Sequence, residues 1–230
     1  MQQQRVVILM GPPGAGKDTQ AERLVQEFGY VQVPSSAIIR KKFADNPDDP
    51  VIVEQKRIFD AGGLNDPVLV AQWILEFAKP LFEQGKSLVF SGSPRTPHEG
   101  DVELARLIEW FGRENVIITY LDIDIEESKH RIANRRFCVA HGHVIPGSPE
   151  FAHLKVCPQD QSDLRRRDLD DASLVETRHG EFHRLTVPVL DIAMKLNIPI
   201  FKLDGAKPIE AVHHDIVGVI EGRHVPVPTA

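Results

Sequence analysis

The chain is poor in several things that would each suggest a different kind of protein. It has only two cysteines in 230 residues, so a disulfide scaffold is excluded. Aromatic residues make up 7% of the composition, and no apolar run is long enough to span a bilayer. There is no excess of positive charge: the net charge is −6, so bulk attraction to nucleic acid is excluded and any basic function is local. No repeat of fixed period and no low-complexity tract occurs. No export signal is expected, because the first strand-like run, Arg5–Met10, lies almost at Met1. These points together predict a cytoplasmic protein in a reducing compartment, with no membrane or nucleic-acid partner.

What remains is a strand–helix alternation. "RVVILM" is a continuous apolar run, as expected of a strand buried on both faces. "YVQV", "SLVF", "NVIITYLD" and "IPIFKLD" read as four further strands. Helical patterns separate them at Pro67–Lys79, Glu99–Phe111, Glu126–Arg135, Ala172–Leu196 and Ile209–Glu221. In the first helix Ala21, Leu24, Val25 and Phe28 share one face, and Gly29 supplies the stop. The alternation predicts an α/β fold with a five-stranded parallel sheet in a three-layer arrangement. Ligands of such folds bind beyond the carboxyl ends of the strands. Two stretches break the alternation, and each is expected to be an insert over that edge. The expected division is a core of 1–34, 69–135 and 172–230, one insert at 35–68 and a second, lid-like insert at 136–171.

"GPPGAGKDTQ" follows the first strand. Gly11, Gly14 and Gly16, with Ala15 between the last two, let backbone N–H groups turn inward around phosphate oxygens, and Lys17 adds a full charge. A hydroxyl usually follows the lysine to hold Mg²⁺; here Asp18 stands there and Thr19 comes one place later. Arginines gather at strand ends and insert borders: Arg95 in "FSGSPRT", Arg131 and Arg135 in "HRIANRR", Arg167 in "RRRDLDD", and Arg178. That much positive charge beside a phosphate loop suits transfer between two phosphorylated molecules. Finally, Cys138-x2-His141 and Cys157-x2-Asp160 form two short donor pairs that can converge on one Zn²⁺. Two free thiols, or a disulfide, are the other readings of the cysteines.

The ordered set "GPPGAGKDTQ", "GSPRT", "RIANRR", "RRDLDD…R" and "LDGAKP" resembles the adenylate kinases, nucleoside monophosphate kinases, in their long-lid form. The resemblance spans Val6 to about Val219. It implies reversible transfer of the terminal phosphoryl group of ATP to AMP by a P-loop protein, with Mg²⁺ accompanying ATP and a structural Zn²⁺ or a hydrogen-bonded polar quartet in the lid. It implies a monomer. Lys17 would follow the phosphate between donor and acceptor. Arg40 and Arg95 would grip the monophosphate, and Arg135, Arg167 and Arg178 would close on the transferring group. Arg131 would stack on the donor adenine, Lys207 would meet that base through its carbonyl, and Val144 and Ile145 would border the ATP site. Ser35, Gly63, Leu64, Asn65, Gly92 and Glu99 would line the monophosphate site, while Asp170 would orient arginines at the lid hinge.

Four departures from the family pattern fall near the acceptor: Ser36 for glycine, Ala37 for aspartate, Ser93 for an aromatic residue and Glu99 for the glutamine that reads adenine. A carboxylate only accepts hydrogen bonds, which suits the donor edge of guanine; glutamine suits adenine. His98 becomes the reader if the register slips by one. AMP remains the expected acceptor, with GMP or a deoxynucleotide as the alternative. A non-catalytic nucleotide sensor of the same fold is the other class of function. A fifth departure concerns metal. The family's aspartate ending the third strand is Ser91 here, so Asp18 either replaces its charge toward Mg²⁺ or is a first-turn acid favoured by the helix dipole.

Overall fold

The computed structural model describes residues 3–166 and 172–226. Five parallel strands form the centre: β1 (Val6–Met10), β2 (Val31–Val33), β3 (Leu88–Phe90), β4 (Val116–Asp122) and a last strand at Ile200–Asp204. Their order is β2-β3-β1-β4 followed by that last strand, so β1 lies in the middle with its five residues fully buried or nearly so. That burial is why "VVILM" shows no polar alternation.

Helices cover both faces. α1 (Lys17–Phe28) follows the glycine loop and ends at Gly29 in the left-handed conformation, φ 70°. Its buried face is Gln20, Ala21 and Leu24. The expected Val25 and Phe28 lie outside it: Val25 is exposed, and Phe28 is 43% exposed and tilts against the ring of His213. Residues 35–68 fold as two helices, α2 (Ser35–Asp45) and α3 (Pro50–Asp60), before α4 (Pro67–Glu83). Asp49 and Asp66 each cap the following helix by accepting from two backbone N–H groups, with proline at the first helical position. α4 runs past its expected end at Lys79 and takes Pro80 into its last turns. α5 (Pro97–Phe111) starts two residues earlier than Glu99, because Thr96 caps it.

α6 (Ile125–Asn134) leads into a small antiparallel sheet of β5 (Arg136–Cys138), β6 (Val144–Ile145) and β7 (Leu164–Arg165), ordered β6-β5-β7. The single long helix expected at Ala172–Leu196 is instead α7 (Ala172–Glu181), a π-helical turn at Phe182–Thr186 and α8 (Pro188–Lys195). Pro188 has no N–H to continue the ladder, and the Val187 N–H instead reaches the Phe182 carbonyl at 3.0 Å. The last strand, β8 (Ile200–Asp204), and α9 (Ile209–Ile220) complete the chain. One apolar cluster packs α2, α4, α5 and α8 on one face of the sheet; a second packs α1 and α9 on the other.

Candidate active site at the carboxyl edge of the sheet

All the strand ends that carry chemistry point the same way. β1 opens into the glycine loop, β3 into Ser91–Arg95, β4 into Ile123–Asp124 and β8 into Gly205–Lys207. Gly14 and Gly16 have φ of 84° and 88°, which turns the loop's backbone inward. A Cβ on Gly14 would also sit 3.2 Å from the Ser128 carbonyl oxygen. The Ser128 hydroxyl donates to the Pro13 carbonyl at 2.6 Å, tying the loop to α6.

Lys17 begins α1 and folds back, donating to the carbonyls of Gly11 (2.8 Å) and Pro12 (2.9 Å). Burial lowers its ammonium to about 7; Asp18 opposes the shift, and the positive charges of Arg95, Arg178 and Arg135 add to it. Four cations from four separate segments therefore act on one point. An arriving polyphosphate would relieve their mutual repulsion.

The cleft they line has a volume of about 310 Å³. Gly11, Lys17, Arg40, Gly63, Leu64, Gly92, Arg95, Arg135 and Arg178 all border it. A smaller cavity of about 40 Å³ adjoins, bordered by Ser35, Asn65, Arg95 and Glu99 among others. Arg40 lies over the Phe59 ring at 5.1 Å, and Arg135 over Phe137 at 5.0 Å. Phe59, which also borders the cleft, carries no sequence signal beyond an apolar helix position. Arg131 donates to the Ala206 carbonyl at 3.1 Å and, from Nε, to Glu127 Oε1 at 2.6 Å, so it stands beside the turn carrying Lys207. The Lys207 ammonium itself turns away to Asp215 at 2.8 Å. Arg167 and Asp170 lie outside the described residues.

Glu99 differs from a free base reader. It is 3% exposed and accepts from the Arg95 N–H (2.8 Å), the Thr96 hydroxyl (3.0 Å) and the Ser93 hydroxyl (3.3 Å). Burial raises its carboxyl, while the Arg95 N–H and the Thr96 hydroxyl pull it back down. His98 is exposed. Asp18 is exposed on the first turn of α1, and the Ser91 hydroxyl accepts from the Gln32 amide at 3.0 Å.

In the small antiparallel sheet, donor atoms of Cys138, His141, His143 and Asp160 lie within 4.8 Å of one another. The Cys138 thiol is 3.0 Å from Asp160 Oδ2, and His141 Nδ1 is 2.6 Å from the same oxygen. The Cys138 thiol, the Ser162 N–H and His141 hold the Asp160 carboxyl well below the usual range. Cys157 borders this group, with its sulfur 3.4 Å from His143 Nδ1. Sequence spacing thus selects Cys138, His141 and Asp160 correctly as neighbours but misses His143, whose signal was the H-x-H spacing with His141. Sulfur, nitrogen and oxygen are donor types that Zn²⁺ accepts, while separations of 2.6 and 3.0 Å are those of hydrogen bonds. The groups satisfy one another by these bonds. Val144 and Ile145 form β6 of the same sheet, and Ile145 is buried.

The fold and this cleft define a P-loop nucleotide-binding protein. A family model described as adenylate kinase matches residues 9–197. The adenylate kinase of Sphingopyxis alaskensis is 33% identical over 93% of this chain and 96% of its own length. That of Pelobacter propionicus is 30% identical over 94% and 96%, and that of Paracoccus denitrificans 32% identical over 80% and 83%. The chain belongs to the adenylate kinase family and is a phosphotransferase.

Proposed function

We propose that this enzyme binds ATP and a nucleoside monophosphate together in the cleft and moves the terminal phosphoryl group between them, with AMP as the principal acceptor and two ADP as products. The lining of one cleft by Lys17, Arg95, Arg135 and Arg178 carries this reading. A nucleotide binder needs charge on one polyphosphate; a transferase needs it on both sides of the travelling group. ATP sits with its phosphates in the glycine loop and its base between Arg131 and the turn at Ala206–Lys207. The monophosphate lies under Arg40 and Arg95, with its base toward Ser35, Gly63, Leu64, Asn65, Gly92 and Glu99. The acceptor is already an anionic phosphate oxygen, so no general base is required and positioning suffices. Glu99 retains room on Oε1 to accept from a base N–H, which also suits GMP as a second acceptor. A coupled assay for ADP with AMP, GMP, CMP and UMP as acceptors tests this: AMP is expected to lead, and no turnover with any of them overturns it.

Residues 35–68 and 136–171 act as the two closing segments in this account. The enzyme works in the cytoplasm as a monomer, where its two cysteines do not pair as a disulfide. Among the described residues no helix is long and apolar enough to cross a membrane.

ATP carries Mg²⁺, which neutralises the phosphate charge and leaves most of its coordination to water. Asp18 supplies the carboxylate toward those waters that Ser91 cannot, and Ser91 and Thr19 are secondary. Without a cation, an acid one residue from Lys17 would repel bound phosphate. Asp18→Gly should weaken the dependence of ATP affinity on Mg²⁺, read by calorimetry with and without the ion. Ser91→Asp in that background should restore it. An unchanged Mg²⁺ dependence in Asp18→Gly rejects the role.

In the lid, Cys138, His141 and Asp160 hold a structural Zn²⁺ with a fourth donor from Cys157 or His143. The segment is too small to build much core, so metal stands in for one. Tag-free protein grown with zinc should contain about one zinc per chain by elemental analysis. Chelation, or Cys138→Ser, should lower the melting temperature. Metal-free protein with an unchanged melting temperature would leave the hydrogen-bonded quartet as the structure of this corner.

A further inference from the structure

Two of the family departures, Ser93 and Glu99, meet a second glutamate in a place that the proposed chemistry does not use. Glu103 lies one helical turn after Glu99 on α5, on the buried side that also carries Leu104 and Leu107, and it is fully buried. Its Oε1 is 2.6 Å from the Ser93 hydroxyl. Its Oε2 is buried with no hydrogen-bond partner. The same Ser93 hydroxyl is 3.3 Å from Glu99 Oε2.

Counting protons fixes the direction of these bonds. A serine hydroxyl donates once. Were both glutamates ionised, Ser93 could serve only one of them, and Glu103 would be a buried anion with one oxygen bare. If Glu103 is a neutral acid, every bond is made. Its O–H donates to Ser93 Oγ, the Ser93 O–H donates to Glu99 Oε2, and the bare Oε2 is a carbonyl oxygen, whose exposure to an apolar wall costs far less than that of an anion. Glu99 is then the ionised member, suited to the Arg95 N–H and the Thr96 hydroxyl it also receives.

The far end of this chain is Arg95. Its N–H is held by Glu99 at 2.8 Å, its carbonyl by the Thr186 hydroxyl at 2.8 Å, and its Nε by the Gly92 carbonyl at 2.7 Å. We propose that Glu103 is a positioning residue for the monophosphate site: as a buried neutral acid it anchors Ser93, Ser93 anchors Glu99, and Glu99 fixes the backbone from which Arg95 reaches the acceptor phosphate. This rests on the placement of the acceptor under Arg95.

Among the described residues, the charges that bear on this hydrogen-bonded series are few. Arg95 faces Glu99, and Glu99 faces Glu103. α8 meets this stretch of α5 with Val189 and Ile192 against Gly100, and the π-helical turn brings Thr186. α4 contributes Val70, Trp73 and Ile74 to the apolar cluster shared with Leu104 and Leu107. Burial, and then the charge of Glu99, push the Glu103 carboxyl well above its ordinary value. The folded state therefore holds a proton that the unfolded state releases near the usual glutamate range. Stability from this group is full below that range and falls as pH rises toward the raised value. Above it, two adjacent anions would compete for Ser93 and Arg95 would lose its anchor.

Two variants separate positioning from packing. Glu103→Gln keeps a donor for Ser93 but cannot ionise; Glu103→Leu removes the donor. Affinity for AMP is read by calorimetry across pH, with ATP affinity as the control, and the pH dependence of the melting temperature is followed alongside. As pH rises the wild type should lose AMP affinity beyond the loss that ATP shows, since Lys17 bears on both ligands, and Glu103→Gln should abolish that excess and flatten the fall in stability. Glu103→Leu should weaken AMP by about tenfold to a hundredfold at every pH and leave ATP close to wild type. Wild-type AMP affinity in Glu103→Leu, or an excess loss of AMP over ATP affinity that persists in Glu103→Gln, overturns the proposal. Absence of AMP binding in the wild type itself overturns the acceptor-site reading instead; the stability profiles of wild type and Glu103→Gln still show whether Glu103 is the neutral acid.

Discussion

Lys17→Met should cut kcat by about a thousandfold or more while leaving the fold intact. Among the described residues the hydrogen-bond partners of its side chain are the carbonyls of Gly11 and Pro12 in its own loop, so none of these bonds ties separate elements together. Its value lies in the field at the cleft. Arg95, Arg135 and Arg178 already act on it, and in the proposed reaction its flexible ammonium follows charge from donor to acceptor. Its ammonium is lowered to about 7 by burial, so in the free enzyme it is only part-charged at neutral pH. Bound phosphate reverses this by supplying negative charge. The measurement is steady-state turnover with melting temperature as control. A loss of kcat with an unchanged melt is the expected result. A fall confined to ATP affinity, with kcat preserved, would make Lys17 a ground-state binder only.

Arg95→Ala should lower kcat/KM for the monophosphate by about a hundredfold to a thousandfold, with a much smaller effect on ATP affinity. Arg95 borders both the main cleft and the small cavity, and its backbone is fixed at N–H, carbonyl and side-chain Nε. So much fixing matters for a group whose task is geometric. Arg95→Lys should recover little, because an ammonium cannot reproduce the planar two-point grip of a guanidinium on phosphate. Equal losses for ATP and monophosphate would place Arg95 on the donor side instead.

Much of the architecture was legible in the sequence, and the reasons are physical. β1 was visible because a strand buried on both faces must be apolar throughout. The glycine loop was visible because left-handed backbone at Gly14 and Gly16 leaves few alternatives. The arginines were visible because charge at strand ends has no structural purpose of its own. What sequence missed was tertiary. The break in the long helix depends on Pro188 shifting the hydrogen-bond ladder by one residue, which an apolar period does not register. Val25 and Phe28 fit the helical period, yet the packing of α9 covers the Gln20–Leu24 side instead. His143 was hidden because two-residue spacings around the cysteines drew attention to fixed pairs rather than to a crowded corner. Glu103 was the clearest omission: a charged letter among Leu104, Leu107 and Phe111 reads as a solvated face until its burial is seen. Glu99, read as a contact for the base, also braces the loop by accepting from the Arg95 N–H and the Thr96 hydroxyl.

The central claim is that one cleft holds donor and acceptor together, with the phosphoryl path between them. Calorimetric titration with two adenosines joined by five phosphates tests it most directly, since that molecule fills both sites at once. The account predicts one molecule bound per chain, at least a hundredfold tighter than ATP or AMP alone (an order-of-magnitude expectation for a ligand that joins two subsites), with the advantage lost in Arg95→Ala. Affinity equal to that of ATP, or two molecules bound per chain, would contradict it.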